Sequence, residues 1–370
     1  MPFTCIHTGD WQLGLKLQFI PGDAGAQARL LRYQAVRAIA ALAHERRVDA
    51  VLVSGDTLDS NAAGAETLQR AREALSAFAP IPVLLLPGNH DHAGPACALG
   101  RLAEGLANVR VLDQRAVVEV AGASIHPCPL LRRHERDDPT AWLKPRDGED
   151  GIRIAMAHGG VIDFATLADD DVESPNLIDI QGILTKDFDY VALGDWHGTL
   201  SVDRRAWYCG TPEPTRFKEK HPGAVLVVTI AAPGAVPLVE PVQVATTTWQ
   251  RWQELLADDA AIAALEARLA GLPRPTTTCI DLTVSGTLTL AGRNRLDAVL
   301  QTWSRRCMLL RADTAGIVTM PSAADLGMLS EAGLLAGTVD RLRAMATPES
   351  ADALLLLHRL LADRPAARGL

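Results

Sequence analysis

The chain has 370 residues, of which 48% are hydrophobic, enough for one large core plus a smaller domain. A net charge of −8 argues against a protein that coats duplex nucleic acid through Lys and Arg, and 4% aromatic content argues against stacking platforms as its main feature. No stretch approaches about 18 uninterrupted apolar residues, so no membrane span is expected. The start MPFTCIHTGDWQLG reads as strand and loop rather than as a signal peptide, and the six scattered cysteines, without a C-x-x-C pair, read as buried free thiols of a cytoplasmic protein.

In chain order, Phe3–His7 reads as a strand, and Gln27–Arg47 as a helix with Leu30, Leu31, Val36, Ile39 and Ala43 at helical spacing. Ala50–Ser54 is a strand, Ala65–Phe78 a helix and Pro82–Leu86 a strand. This βαβαβ order predicts parallel pairing. Short strands follow at Val109–Leu112, Val117–Val120, Ser124–His126, Arg153–Ala157, Tyr190–Leu193, Ala206–Tyr208, Ala224–Ile230 and Val236–Val239, and suit a second, mixed or antiparallel sheet. The charged Arg132–Asp150 stretch reads as a surface loop. A boundary falls near Pro241–Thr248. Beyond it the pattern predicts a helix around Trp249–Gly271, a strand at Thr276–Ser285, a helix at Leu290–Trp303 and a strand at Met308–Ala312. Two terminal helices follow at Leu334–Ala346 and Pro348–Leu361, with Thr347 as cap and Pro348 in the first turn.

Six short stretches carry the chemistry: Asp10-Trp11-Gln12, Gly55-Asp56-Thr57-Leu58-Asp59, Gly88-Asn89-His90-Asp91, Ala157-His158-Gly159, Gly194-Asp195-Trp196-His197 and Gly210-Thr211-Pro212. Nearly all follow a strand-like run, and side chains just past strand ends can meet at one sheet edge. Phosphoester hydrolysis brings a charged nucleophile to an anionic phosphorus. Two divalent cations offset that repulsion and lower the pKa of a water held between them, which calls for a shared carboxylate and further oxygen and nitrogen ligands.

In this order the stretches resemble the calcineurin-like metallophosphoesterase superfamily, whose pattern is D-x-H, G-D-x-x-D, G-N-H-[DE], H and G-H-x-H. The opening His7-Thr8-Gly9-Asp10-Trp11-Gln12-Leu13-Gly14, the length and the Gly210-Thr211-Pro212-Glu213-Pro214 turn resemble the SbcD-type DNA-repair nucleases. The resemblance covers roughly residues 1–240, and the following module more loosely. It implies a four-layer α/β/β/α metallophosphoesterase sandwich over 1–245, a smaller α/β capping domain over 246–325 and a C-terminal helical segment over 326–370. It implies Asp10 and His197 on a first metal, Asp56 bridging, and Asn89 and His158 on a second. His90 would sit over the scissile phosphate as catalytic acid or charge stabiliser, Asp91 would hold the His90 tautomer, and Asp59 would orient the loop. The implied activity is hydrolysis of DNA as an exo- or endonuclease of repair. The implied partner is an SMC-like coiled-coil ATPase, and a homodimer is left open.

Two positions depart from the pattern. Gln12 stands where the family has a histidine on metal one, and Asp195 where it has one on metal two. Both changes move the shell from nitrogen toward oxygen, so manganese, with magnesium second, is expected over zinc. Arg216 and His92 are candidate substrate contacts; a salt bridge and a solvated loop residue are the plain alternatives. His7 and His126 read as packed structural residues, His44, His134, His221 and His358 as surface residues, and Trp11 and Trp196 as packing, with walling the cleft or stacking on a base as the alternative. The terminal helix pair folds back on its own module or docks on a partner. A small-molecule phosphoesterase and a catalytically weakened scaffold of the ATPase complex stay open as rival readings.

Overall fold

Strand alternation lets the first strand face two cores at once. In β1 (Phe3–Thr8), Phe3 and Cys5 point to one side and Ile6 to the other, and all three are buried. The computed structural model describes residues 2–148, 150–161, 176–322, 325 and 336–362. Residues Met1–Thr247 and Thr248–Leu370 form two compact units.

In the first unit β1, β2 (Ala50–Val53), β3 (Val83–Leu85) and β4 (Val109–Val111) pair in parallel. Helix α1 (Gly22–Arg46) joins β1 to β2, α2 (Ala65–Ser76) joins β2 to β3, and α3 (Ala98–Ala103) precedes β4. The chain later returns to the same sheet: β13 (Ala224–Ile230) pairs antiparallel with β1, and β14 (Leu238–Gln243) with β13, giving the order β14-β13-β1-β2-β3-β4. The second six-stranded sheet has the order β11-β12-β10-β7-β6-β5. Its strands are β5 (Val118–Val120), β6 (Ala123–Cys128), β7 (Ile152–His158), β10 (Tyr190–Gly194), β11 (Leu200–Asp203) and β12 (Ala206–Tyr208). A two-stranded ladder of β8 (Gly160–Val161) and β9 (Leu177–Ile178) lies beside it in the chain, followed by α4 (Ile180–Leu184).

Three cores define four layers. Val36, Ile39 and Leu75 of the helices pack on Val51, Val53 and Leu85 of the first sheet. Phe3, Leu52 and Leu84 meet Ile125, Ile154, Met156 and Ala192 between the sheets. Ile180 and Ile183 of α4 cover Ala157, Val191 and Leu193 on the outer face of the second sheet. This is the α/β/β/α sandwich that the resemblance implies.

Three strands assigned by pattern to a second sheet, β4, β13 and β14, lie in the first. Pattern reveals that a strand is buried, not which neighbour it takes. Helix α1 starts five residues before Gln27, after extended Pro21. The 132–148 stretch forms no regular element but is anchored by buried Thr140 and Leu143. His7 is buried, with Nδ1 2.8 Å from the Tyr190 hydroxyl, and His126 is buried against Trp142 and Phe188, so both are packed residues.

The second unit is a three-stranded parallel sheet of β15 (Thr248–Leu256), β16 (Thr278–Leu288) and β17 (Leu309–Thr319). It is connected by α5 (Asp259–Ala270) and α6 (Leu290–Ser304). The helix expected over Trp249–Gly271 is therefore a strand followed by a helix. Trp252 and Leu256 are both buried at a spacing of four, which fits a helix, yet the segment pairs with β16; the true start is set by Asp258, whose carboxylate caps Ala261 N at 2.8 Å. Helices α7 (Ala336–Met345) and α8 (Pro348–Ala362) pack Val339 and Leu354 on Leu290, so the pair folds onto its own module. His358, expected at the surface, is buried, with Nδ1 2.9 Å from Asn294 Nδ2 and Nε2 3.3 Å from Asp325. Among the described residues the six cysteines are free thiols, five of them buried, and no helix is long and apolar enough to cross a membrane.

Candidate metal centre

The carboxyl ends of β1, β2, β3, β7, β10 and β12 run into the six motif loops, and there the two sheets touch. His158, the last residue of β7, places Nδ1 2.8 Å from the carbonyl of Ser54, just past β2. The approach leaves no space for side chains on the backbone. A Cβ on Gly55, whose φ is +94°, would lie 2.1 Å from His158 Nδ1, and one on Gly194 would lie 1.9 Å from Ser54 O.

That contact also fixes the chemistry of His158. A carbonyl cannot donate, so Nδ1 carries the hydrogen and Nε2 presents its lone pair. The atoms around Nε2 are acceptors: Asn89 Oδ1 at 3.3 Å, Asp56 Oδ1 at 3.5 Å and Asp195 Oδ1 at 3.7 Å. Asp10, Asp56 and His158 are buried, with ligand atoms within 4.8 Å of one another. Such a buried set of acceptors calls for a positive charge: a second proton on His158 when no metal is bound, or a divalent cation in its place. Cis ligands of an octahedral shell with bonds of about 2.1 Å lie about 3 Å apart, close to these spacings. The donor set fits a divalent cation.

The second half of the cage is built from Asp10, Gln12 and His197. His197 Nδ1 lies 2.6 Å from Glu219 Oε1 and 3.2 Å from Thr215 Oγ1, and Glu219 also bonds the Thr215 hydroxyl and, at 2.9 Å, its N–H. The carboxylate takes the Nδ1 hydrogen, so Nε2 turns its lone pair toward the Gln12 amide at 3.4 Å and Asp10 Oδ1 at 4.0 Å. Gln12 faces the ring with Nε2, so it donates to His197 here; half a turn of the amide would present its oxygen. Asp10 accepts from the Asp195 N–H at 3.3 and 3.2 Å. Asp10, Gln12, Asp56 and Asp195 all have positive φ, so four cage positions hold left-handed backbone without being glycine.

Burial raises the Asp10 carboxyl, opposed by His197 and His158 and reinforced by Asp56 and Asp195. Burial alone would discharge His158, but Asp56, Asp10 and Asp195 outweigh it and lift the imidazolium to about 9. Burial pushes Glu219 up, and its bonds to His197 and Thr215 outweigh that and hold it below the usual range.

His90 stands at the rim with about a quarter of its side chain exposed. Its N–H donates to Asp56 Oδ1 at 2.9 Å, and Nδ1 donates to the Asp59 carbonyl at 2.8 Å, leaving Nε2 3.9 Å from Asp56 Oδ2. The group that sets the His90 tautomer is thus the Asp59 carbonyl, not Asp91. The Asp91 carboxylate accepts from Gly88 N at 2.8 Å and Leu58 N at 3.0 Å, and so ties the Asp56 loop to the His90 loop. A short side chain with both oxygens engaged by backbone has no reach left for the ring.

Among the other expected residues, Arg216 is exposed and lines clefts on both sides of the cage. His92 lines neither; its carbonyl accepts from Asn61. Trp11 is buried, stacks on Phe78 and donates to Thr8. Trp196 is half-buried beside the third core and lines the smaller cleft.

Arg32 was not anticipated. Its buried guanidinium donates to the carbonyls of Trp11 (Nε, 3.1 Å) and Glu213 (2.9 Å), clamping the loops that carry Asp10 and Thr215. Its signal was available: an arginine in phase with Ala28, Leu31, Ala35 and Val36 on the buried stripe of α1. Glu219, inside Lys218-Glu219-Lys220, gives no such signal and reads as solvated surface.

A family model described as calcineurin-like phosphoesterase matches residues 3–228. The chain belongs to the calcineurin-like phosphoesterase family. No match to it is found among curated proteins. The matched span contains the cage, and with its buried Asp10, Asp56 and His158 this phosphoesterase is a metal-dependent hydrolase of phosphoesters.

Two outcomes follow for the phosphoesterase. Without metal, the stability given by the His158 imidazolium is complete below about 6.5 and lost as pH rises through about 9, because its folded pKa is raised. A divalent cation replaces that charge, so manganese should raise the melting temperature more near pH 9 than near pH 6. Its binding near pH 7.5 should release protons, seen calorimetrically as heats that vary with the buffer; heats independent of the buffer contradict this. Glu219→Gln should weaken cation binding about 10–100-fold with the fold retained, because the anion orienting His197 is lost; unchanged affinity in the same calorimetry counts against it.

Proposed function

We propose that the protein is a phosphodiesterase acting on DNA. The observation that carries the hydrolytic reading is the all-acceptor cage around Asp56 with His90 on its rim. DNA as substrate rests on the likeness of His7–Gly14 to the SbcD-type nucleases, and a coiled-coil ATPase partner belongs to the same proposal. Asp10, Gln12, Asp56 and His197 would hold one cation; Asp56, Asn89, His158 and Asp195 would hold the other. When bound, the cations neutralise the phosphate and acidify water. The protein's own part is positional: Ser54 and Glu219 hold the two imidazoles with Nε2 inward, and the Asp59 carbonyl holds His90 with Nε2 toward the cage. From there His90, with its Nδ1 hydrogen held by the Asp59 carbonyl, would act as the doubly protonated ring, its Nε2–H facing the departing oxygen to stabilise the charge there or to be passed to it.

Gln12 and Asp195 make the donor set richer in oxygen than the family pattern, which favours manganese and magnesium. Protein purified without chelator should carry little zinc and be activated by manganese; stoichiometric zinc with no manganese activation refutes that preference. In manganese, the protein should cleave labelled DNA and bis-p-nitrophenyl phosphate. His90→Ala should reduce both rates about 10²–10⁴-fold, and Asp56→Asn should abolish them. Cleavage of the small ester alone points to a small-molecule phosphoesterase instead.

A further inference from the structure

The two clefts flanking the cage are unequal. On the His197 side, a cavity of about 80 Å³ lies among Asp195, Trp196, Arg216 and Lys218, room for a few waters. On the His90 side, the cleft is about 630 Å³, within the range of sites that take a whole organic ligand. It runs from Gln12 and His90 past Lys16 and Phe19 to Arg216. Because His90 assists the leaving oxygen, the group that departs belongs in the larger cleft.

The far wall is fixed by the fold. Leu17 and Ile20 are buried, which turns Lys16, Gln18 and Phe19 outward, and the Lys16 carbonyl is held by Arg29 at 3.1 Å. This wall begins four residues after Gln12. Arg216 reaches the cleft from the loop that positions His197. Two cations, 200 positions apart in sequence, thus line one cleft together with a half-exposed aromatic ring. Asp59 is the anion among its lining residues. A plain alcohol or phenol needs no such lining. A nucleoside carrying a further phosphate uses all of it.

We infer that the Lys16–Arg216 cleft seats the leaving nucleotide of a polynucleotide, with both cations on the phosphate next to the scissile one and Phe19 beside the base. The inference rests on the phosphodiesterase reading and adds what that reading leaves open: which residues would hold the nucleotide that departs.

The test uses the full chain and the double variant Lys16→Ala/Arg216→Ala. Both side chains are exposed, so folding is retained, and an unchanged melting temperature verifies it. In manganese, kcat/KM for a short oligothymidylate should fall about tenfold or more, mainly through KM, and at least about fivefold further than that for bis-p-nitrophenyl phosphate, which has no second phosphate. Binding of a labelled oligothymidylate in calcium, followed by anisotropy, should weaken, and the slope of log affinity against log salt should shrink by about 0.7 per lost contact. Equal losses on both esters, or an oligonucleotide unaffected in rate and binding, overturn the inference. If the unaltered protein cleaves neither ester, the phosphodiesterase reading fails; anisotropy then still decides the cleft, since binding that depends on Lys16 and Arg216 upholds it and binding that does not overturns it.

Discussion

The bond between His158 Nδ1 and the Ser54 carbonyl joins two sheets that meet mainly through apolar side chains, with the bond between His7 and Tyr190 as a further polar link, and the site depends on it. It brings the end of β7 against the end of β2 closely enough that Gly55 and Gly194 accept no side chain. It also spends the His158 hydrogen on backbone, so the other ring nitrogen faces Asn89, Asp56 and Asp195 as an acceptor. The fold thereby creates a concentration of negative potential that water cannot relieve. Cation affinity is the counterpart of that arrangement: a divalent cation takes the place of the proton on His158 that otherwise balances Asp56, Asp10 and Asp195.

Precision at the rim comes from backbone. Asp10, Gln12, Asp56 and Asp195 are held in left-handed conformations that short peptides avoid, and each must be held by its surroundings. Gln12 N bonds Asp56 O, Asp10 N bonds Gly55 O, Thr211 Oγ1 bonds Asp10 O, and Arg32 gathers the Trp11 and Glu213 carbonyls beneath. Glu213 in turn sends its carboxylate to the N–H groups of Thr246 and Thr247, so the same residue braces the loop and the end of the first unit. Removing a side chain from this lattice loosens several ligands together, since they share supports.

Much of this was legible from residue order. The parallel βαβαβ start, the strand-end placement of the motifs and the structural parts of His7 and His126 all follow from periodicity and residue type. Strand partners did not: β4 and β14, grouped by pattern with the second sheet, form the opposite edges of the first. The Trp249–Leu256 run misled because Trp252 and Leu256 satisfy helical spacing while pairing as a strand. At the site, motif order indicated which side chains converge but not what orients them. Asp91, next to His90 in sequence, binds backbone, and a carbonyl from Asp59 does the orienting; such geometry is set by loop conformation, on which residue identity is silent.

The pairing of β1 with β13 has a consequence for how the molecule is made. Phe3 lies against Ile230 and His7 against Leu226, so β1 leaves the ribosome about 220 residues before its partner β13. At about 5–20 residues per second, roughly 10–40 s pass with that flank unpaired. During this interval Thr211, Glu213 and Glu219 are also missing from the Asp10 loop for much of the time, so a nascent chain holds no finished cage. Hydrolytic competence therefore waits for the segment that carries Thr211, Glu213 and Glu219, and until β13 arrives one edge of β1 stays unpaired.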